Sequence, residues 1–200
     1  MKRSLRTVLL SISAFALISA CSNLSVAQKM DIAFGVNTVD APGASSADSN
    51  HSPVSLTGGA YPGVSGDFLF FHNFGVGAEL YWKAGRRDYA GDPTLPFRPI
   101  FFDFNAVYAP KLASHSYLEL TGGIGGITNH FYCQGCSNGY TNYASDKHFM
   151  ADFGAGLKLY PGNSGFFIRP EGKLYLINNN QYFSSPRVTR YGVSIGYTFK

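Results

Sequence analysis

The last ten residues, Tyr191-Gly-Val-Ser-Ile-Gly-Tyr-Thr-Phe-Lys200, put Tyr191, Val193, Ile195, Tyr197 and Phe199 on one face of an extended strand. Gly192, Ser194, Gly196 and Thr198 occupy the other face. A soluble sandwich turns its bulky face to a core and lines its wet face with charged or long polar side chains. Here the second face carries only small, weakly polar groups, as a narrow polar interior requires. Bulky-apolar outside and small-polar inside is the pattern of a transmembrane barrel strand, and aromatics near the strand end suit an interfacial girdle.

The other end of the chain sets the compartment. Lys2, Arg3 and Arg6 precede an apolar stretch from Val8 to Ala20, and small residues follow. This reads as a secretory signal over residues 1–27, cleaved after Ala27. The stretch contains serines and falls short of the roughly 20 apolar residues that a membrane anchor needs. Ile18-Ser19-Ala20-Cys21 also resembles a bacterial lipobox, so the alternative is a lipoprotein signal ending before a lipidated Cys21. Residues 28–200 are then expected to form one domain. The formal charge of +4 includes three positive residues of the signal, which leaves +1 and no basic stripe for nucleic acid. Charged residues make up only 14% and aromatics 16%, against a usual charged share of about 25%.

Period-2 alternation predicts eight strands, near 29–38, 56–71, 74–83, 98–108, 116–128, 148–160, 166–177 and 190–199. Each meets the roughly 9–11 residues of a tilted membrane strand. Long connections (39–55, 84–97, 129–147, 178–189) alternate with short ones at 72–73, 109–115 and 161–165. Small outer-membrane barrels combine long extracellular loops with tight periplasmic turns in this way. Pro62, Pro99 and Pro170 are awkward for ladder pairing. Pro99 suits a strand start, whereas Pro62 and Pro170 call for bulges or shorter strands.

Charges segregate by parity. Asp31, Asp67, Glu79, Lys83, Asp103, Glu119, Asp152, Lys158, Arg169, Glu171, Lys173 and Arg190 all fall on the inward face. A lipid-facing Arg or Lys near the midplane costs about 2–4 kcal/mol, which explains the segregation. An eight-stranded barrel is just wide enough inside to be filled by side chains. Opposite charges there are expected to pair into a packed polar network. The functional alternative for the same residues is a gated pore or proton path. Arg98 breaks the parity at a strand end.

The strand and loop pattern over residues 28–200, with Arg190-Tyr-Gly-Val-Ser-Ile-Gly-Tyr-Thr-Phe199 and Phe167-Ile-Arg-Pro-Glu-Gly-Lys-Leu-Tyr175, resembles the outer-membrane β-barrel domain family, the small eight-stranded OmpA/OmpX-like type. The resemblance implies an all-β, eight-stranded antiparallel up-and-down transmembrane β-barrel in a Gram-negative outer membrane. It further implies a monomer surrounded by outer-membrane lipid. Insertion would be by the barrel-assembly machinery, which reads a C-terminal aromatic; this chain ends in Lys200, one residue after Phe199. The resemblance fixes no activity, since similar proteins serve as structural anchors, adhesins, defence factors or occasionally lipid-modifying enzymes.

Cys133-Gln-Gly-Cys136 lies in the longest expected extracellular loop, where an oxidising compartment favours a disulfide. A strained, reducible ring with a redox role is one alternative. Zinc held by Cys133, Cys136, His130 and His148 is another, at a spacing that matches no recognised finger. No cofactor or metal is expected. His130, His148, Ser137 and Asp146 approach the extracellular rim, yet no motif arranges them as nucleophile and base, so catalysis is not expected. The segment from Asp40 to Pro53 and Arg86-Arg87-Asp88-Tyr89 offer loop surface for lipopolysaccharide phosphates or a partner. The expectation is a structural or surface-interaction role carried by extracellular loops, with the loop partner unidentified. Its rivals are a barrel enzyme modifying outer-leaflet lipid and a soluble lipocalin-like carrier.

Overall fold

Alternation of bulky apolar with small or charged residues makes these segments strands whose two faces want different solvents, and closure into a cylinder satisfies both. The computed structural model describes residues 29–41, 56–89, 92–132, 144–178 and 186–200. Its strands are β1 (Lys29–Asp40), β2 (Tyr61–Phe71), β3 (Phe74–Trp82), β4 (Arg87–Tyr89), β5 (Asp92–Tyr108), β6 (Lys111–Ala113), β7 (Ser116–Phe131), β8 (Ala144–Leu159), β9 (Phe166–Ile177) and β10 (Arg187–Phe199). Apart from the short β4 and β6, each strand pairs antiparallel with its neighbours in chain order. β1 pairs with β10, from Met30↔Phe199 to Asp40↔Thr189, so the sheet closes into an eight-stranded up-and-down barrel. Closure leaves the eight-strand wall no open edge.

The outward face is a belt of exposed apolar side chains. Phe34 and Phe104 are 66% exposed, Phe153 61% and Ile195 60%. A continuous apolar ring of this size is foreign to a water-soluble monomer. Lipid is its natural solvent, because a closed barrel also satisfies every wall hydrogen bond internally. The lipocalin-like alternative required the opposite parity and is overturned by this belt.

Several strands are longer or shorter than their sequence pattern indicates. β5 begins at Asp92, β7 runs to Phe131 and β8 begins at Ala144, which raises one side of the wall at the long-loop end. β2 begins at Tyr61 rather than residue 56. Pro62 is therefore the second residue of its strand, and β3 pairs only from Gly63 onward. Pro99 lies inside β5 rather than at its start. Pro170 needs no bulge: β8–β9 pairing runs to Gly156↔Glu171, lapses at Pro170, and resumes in the same register at Leu159↔Ile168.

Two local devices let the wall close. His72 adopts a positive φ of 49° in the two-residue turn between β2 and β3, packed edge-on against Phe71 at 4.3 Å. Gly125 on β7 faces Asp103 on β5 so closely that an added Cβ would lie 2.6 Å from the Asp103 Cα. Glycine there makes room for the inward-facing carboxylate.

Candidate functional site

Inward parity brings the charged residues together in mid-barrel as two groups. In the first, Lys158 Nζ lies 2.5 Å from Asp31 Oδ2 and 3.3 Å from Asp67 Oδ2, and it also contacts Glu119. Arg169 spans Glu119 at 2.6 Å, Asp67 at 3.4 Å and Glu171 at 2.8 Å, and donates to Ser65 Oγ at 2.8 Å. In the second, Lys173 Nζ meets Glu79, Asp103 and Asp152 at 3.1–3.2 Å. Arg190 pairs with Glu79 at 2.6 Å, and its guanidinium lies 3.8 Å from the centre of the Tyr81 ring. Tyr81 donates to Glu171 Oε1 at 3.0 Å.

The cations lie on one side of the barrel, on β8, β9 and β10, whereas the carboxylates of β1, β2, β3 and β5 have no cation on their own strands within the network. Asp31↔Asp67 and Glu79↔Asp103 are direct cross-strand partners, and so are Lys173↔Arg190. Like charges placed opposite each other in a sheet repel. The carboxylate side is thus strained alone, and closing the barrel brings cations of β8, β9 and β10 onto carboxylates of β1, β2, β3, β5 and β7. Asp31, Asp67 and Glu119 offer oxygens within 4.8 Å of one another, a geometry fit for a metal ion, but the ammonium of Lys158 contacts all three. Lys83 stands apart from both groups: its ammonium donates to Gly58 O at 2.6 Å and lies 5.2 Å from the Tyr61 ring centre.

Above the charges, toward the long-loop end, the lumen is apolar. Val39, Tyr61, Phe97, Phe101, Ile127, Met150, Tyr175, Ile177 and Val188 fill it, and Leu56 joins them from outside the strands. None is more than 4% exposed. Phe101 stacks on Tyr175 at 5.1 Å and meets Tyr61 edge-on at 5.9 Å. Tyr61 donates to Leu56 O at 3.0 Å, which pins this lid. Sequence reasoning assigned small polar and charged groups to the inner face and missed the plug; the available signal was the inward parity of Phe101, Ile127 and Tyr175.

The short-turn end is open. A cavity of about 420 Å³ enters it, with Asp31, Lys158, Tyr160 and Thr198 deep and Lys29, His115 and Lys200 among the outer lining. In small bacterial barrels this end faces the periplasm. The lumen is thus a one-ended pocket, sealed on the outer side by the plug.

At the outer rim, Arg86 packs over Tyr132 at 3.9 Å, and Arg87 donates to Thr57 O at 2.7 Å. Arg98 is half-buried and donates to Ala84 O at 3.3 Å. His130 has outward parity on β7, edge-on to Tyr132 at 5.2 Å, whereas His148 is buried with inward parity on β8. The two histidines therefore do not converge, which removes the geometry for a shared zinc ion. Cys21, Cys133, Cys136 and Ser137 lie outside the described residues, as does most of the segment 40–53; Asp146 is described only through its backbone.

No protein-family model matches the chain, and no curated protein matches its sequence. Solved structures do match its fold. The attachment invasion locus protein Ail of Yersinia pestis, in complex with the heparin analogue sucrose octasulfate, is similar at a TM-score of 0.55 and 16% identity, covering 87% of this chain and 100% of that one. Neisserial surface protein A is similar at a TM-score of 0.56 and 10% identity, covering 86% and 97%. OprG of Pseudomonas aeruginosa gives 0.55 and 12%, covering 86% and 96%. The chain has the fold of the small eight-stranded outer-membrane β-barrels.

Proposed function

We propose that this protein is an outer-membrane barrel whose role is structural or surface-interacting, exercised at its extracellular rim, without transport or catalysis. The observation that carries this reading is the sealed lumen. An apolar plug above a salt-bridged layer leaves no aqueous route for a solute, so the raised outer wall is the surface available for function. Scaffold-borne loops are where binding usually resides.

The rim favours an anionic ligand, since exposed Arg86 packs over the aromatic ring of Tyr132 and exposed Arg87 follows it in the chain. The fold-mate Ail is known in complex with a sulfated heparin analogue, which makes a sulfated glycan the natural first probe. Cells displaying the protein should retain sulfated glycan in a salt-sensitive manner, and Arg86→Ala/Arg87→Ala should abolish retention while leaving the folded barrel intact. Equal retention by this variant and the wild type would sink the anion reading. Release of a fluorescent solute from liposomes carrying the protein would sink the non-transport reading.

A further inference from the structure

We propose that the floor of the periplasmic vestibule binds a small monovalent cation through oxygens of Asp31, Thr198 and Tyr160. Asp31 and Thr198 are direct register partners on β1 and β10, both buried with inward parity. Thr198 Oγ1 and Tyr160 Oη lie 2.7 Å apart, and all three residues line the cavity. Asp31 is 3% exposed, and only its Oδ2 is engaged by Lys158. Its Oδ1 has no hydrogen-bond partner among the described residues. A buried anionic acceptor left unpaired costs more than an ordinary missing hydrogen bond. Carboxylate and hydroxyl oxygens are hard donors, suited to alkali-type ions rather than soft metals.

Charge balance points the same way. The two groups together set seven carboxylates against four cations, with Glu171 shared between them at 2.8 Å from Arg169 and 3.7 Å from Arg190. An uncompensated charge in so dry a lumen is prohibitive. The plug bars exchange with the exterior, so the compensating charge enters from the periplasmic end. Lys29 and Lys200 line the mouth and disfavour a doubly charged ligand. Burial raises the Tyr160 phenol above its ordinary range, with the Thr198 hydrogen bond opposing and the negative charge of Asp31 adding to the rise. Tyr160 therefore presents a neutral oxygen already within electrostatic reach of Asp31. The inference does not depend on what the extracellular rim binds.

The test is thermal unfolding of the mature barrel in zwitterionic micelles, with sodium chloride replaced by choline chloride at constant ionic strength. The expected result is a saturable rise in Tm with sodium that the bulkier choline does not reproduce. Asp31→Asn should remove it. Thr198→Val keeps the Asp31–Lys158 ion pair and should move half-saturation to several-fold higher sodium, so it decides the matter if Asp31→Asn fails to fold. Equal responses to sodium and choline, or an unchanged half-saturation in Thr198→Val, would overturn the proposal. Stabilisation by acid alone, with no sodium dependence, would also overturn it, because protons would then supply the missing charge.

Discussion

Glu79 and Asp103 are direct cross-strand partners on β3 and β5, and Lys173 reaches both from the opposite wall, at 3.2 and 3.1 Å. Arg190 also pairs with Glu79 at 2.6 Å, but of the two cations it is Lys173 that contacts both carboxylates. Lys173→Met should therefore destabilise the barrel by about 3–5 kcal/mol, the usual cost of breaking a buried pair from one side. Adding Asp103→Asn should recover part of the loss. Equilibrium unfolding in denaturant reads both values, and full additivity of the two changes would count against a coupled layer.

The lipid belt predicts a different sensitivity. Phe104 is 66% exposed on the outward face of β5, one residue from the inward-facing Asp103. Phe104→Lys should cost about 2–4 kcal/mol in a bilayer. Asp88→Lys, at the exposed outer rim, should cost nothing measurable in the same unfolding experiment.

The plug predicts a large packing loss without leakage. Phe101→Ala removes a ring that touches both Tyr61 and Tyr175, and should cost about 3–5 kcal/mol, as such core truncations do. The charged layer below still fills the lumen, so planar-bilayer recordings should stay silent. Conductance steps from this single variant would mean that the charged layer is itself open.

Lys83, just past the end of β3, predicts the pH response at the outer end. Burial pushes its ammonium down to about 8, and the positive charge of Arg87 adds to the shift. The unfolded chain, with an ordinary lysine near 10.5, then holds more protons than the folded one between these values, so stability should rise as pH rises through that window. Lys83→Met should flatten the rise. A wild-type stability that falls over this window would contradict the assignment.

The sequence makes the wall legible because parity is a strong signal wherever the two faces differ. In β10, large residues alternate with Gly192, Ser194, Gly196 and Thr198, and only one orientation keeps Arg190 out of lipid. The same logic reads the mid-barrel charges on β3, β8 and β9. It fails near the outer rim, where Phe97, Phe101 and Met150 turn apolar side chains inward and the two faces look alike. Phe101-Phe102 offers no alternation of its own, so only the parity carried over from Asp103 turns the Phe101 ring inward. The extra length of β5, β7 and β8 was hidden for a related reason: above the belt no solvent difference enforces a pattern. Lys83 shares the parity of the charged network but lies too far toward the outer end to join it.

The most direct test of the sealed, one-ended lumen is side-resolved labelling with a bulky maleimide that cannot cross the outer membrane, in a background with Cys133 and Cys136 changed to Ser. Asp88→Cys, exposed at the outer rim, should react on intact cells. Ser114→Cys, at the vestibule mouth, should react only once the cells are opened. Ile127→Cys, buried in the plug at 0% exposure, should react in neither case while the barrel is folded. Labelling of Ile127→Cys on intact cells would show a lumen open to the outside. Labelling of Ser114→Cys on intact cells, or protection of Asp88→Cys there, would contradict the orientation on which the account rests.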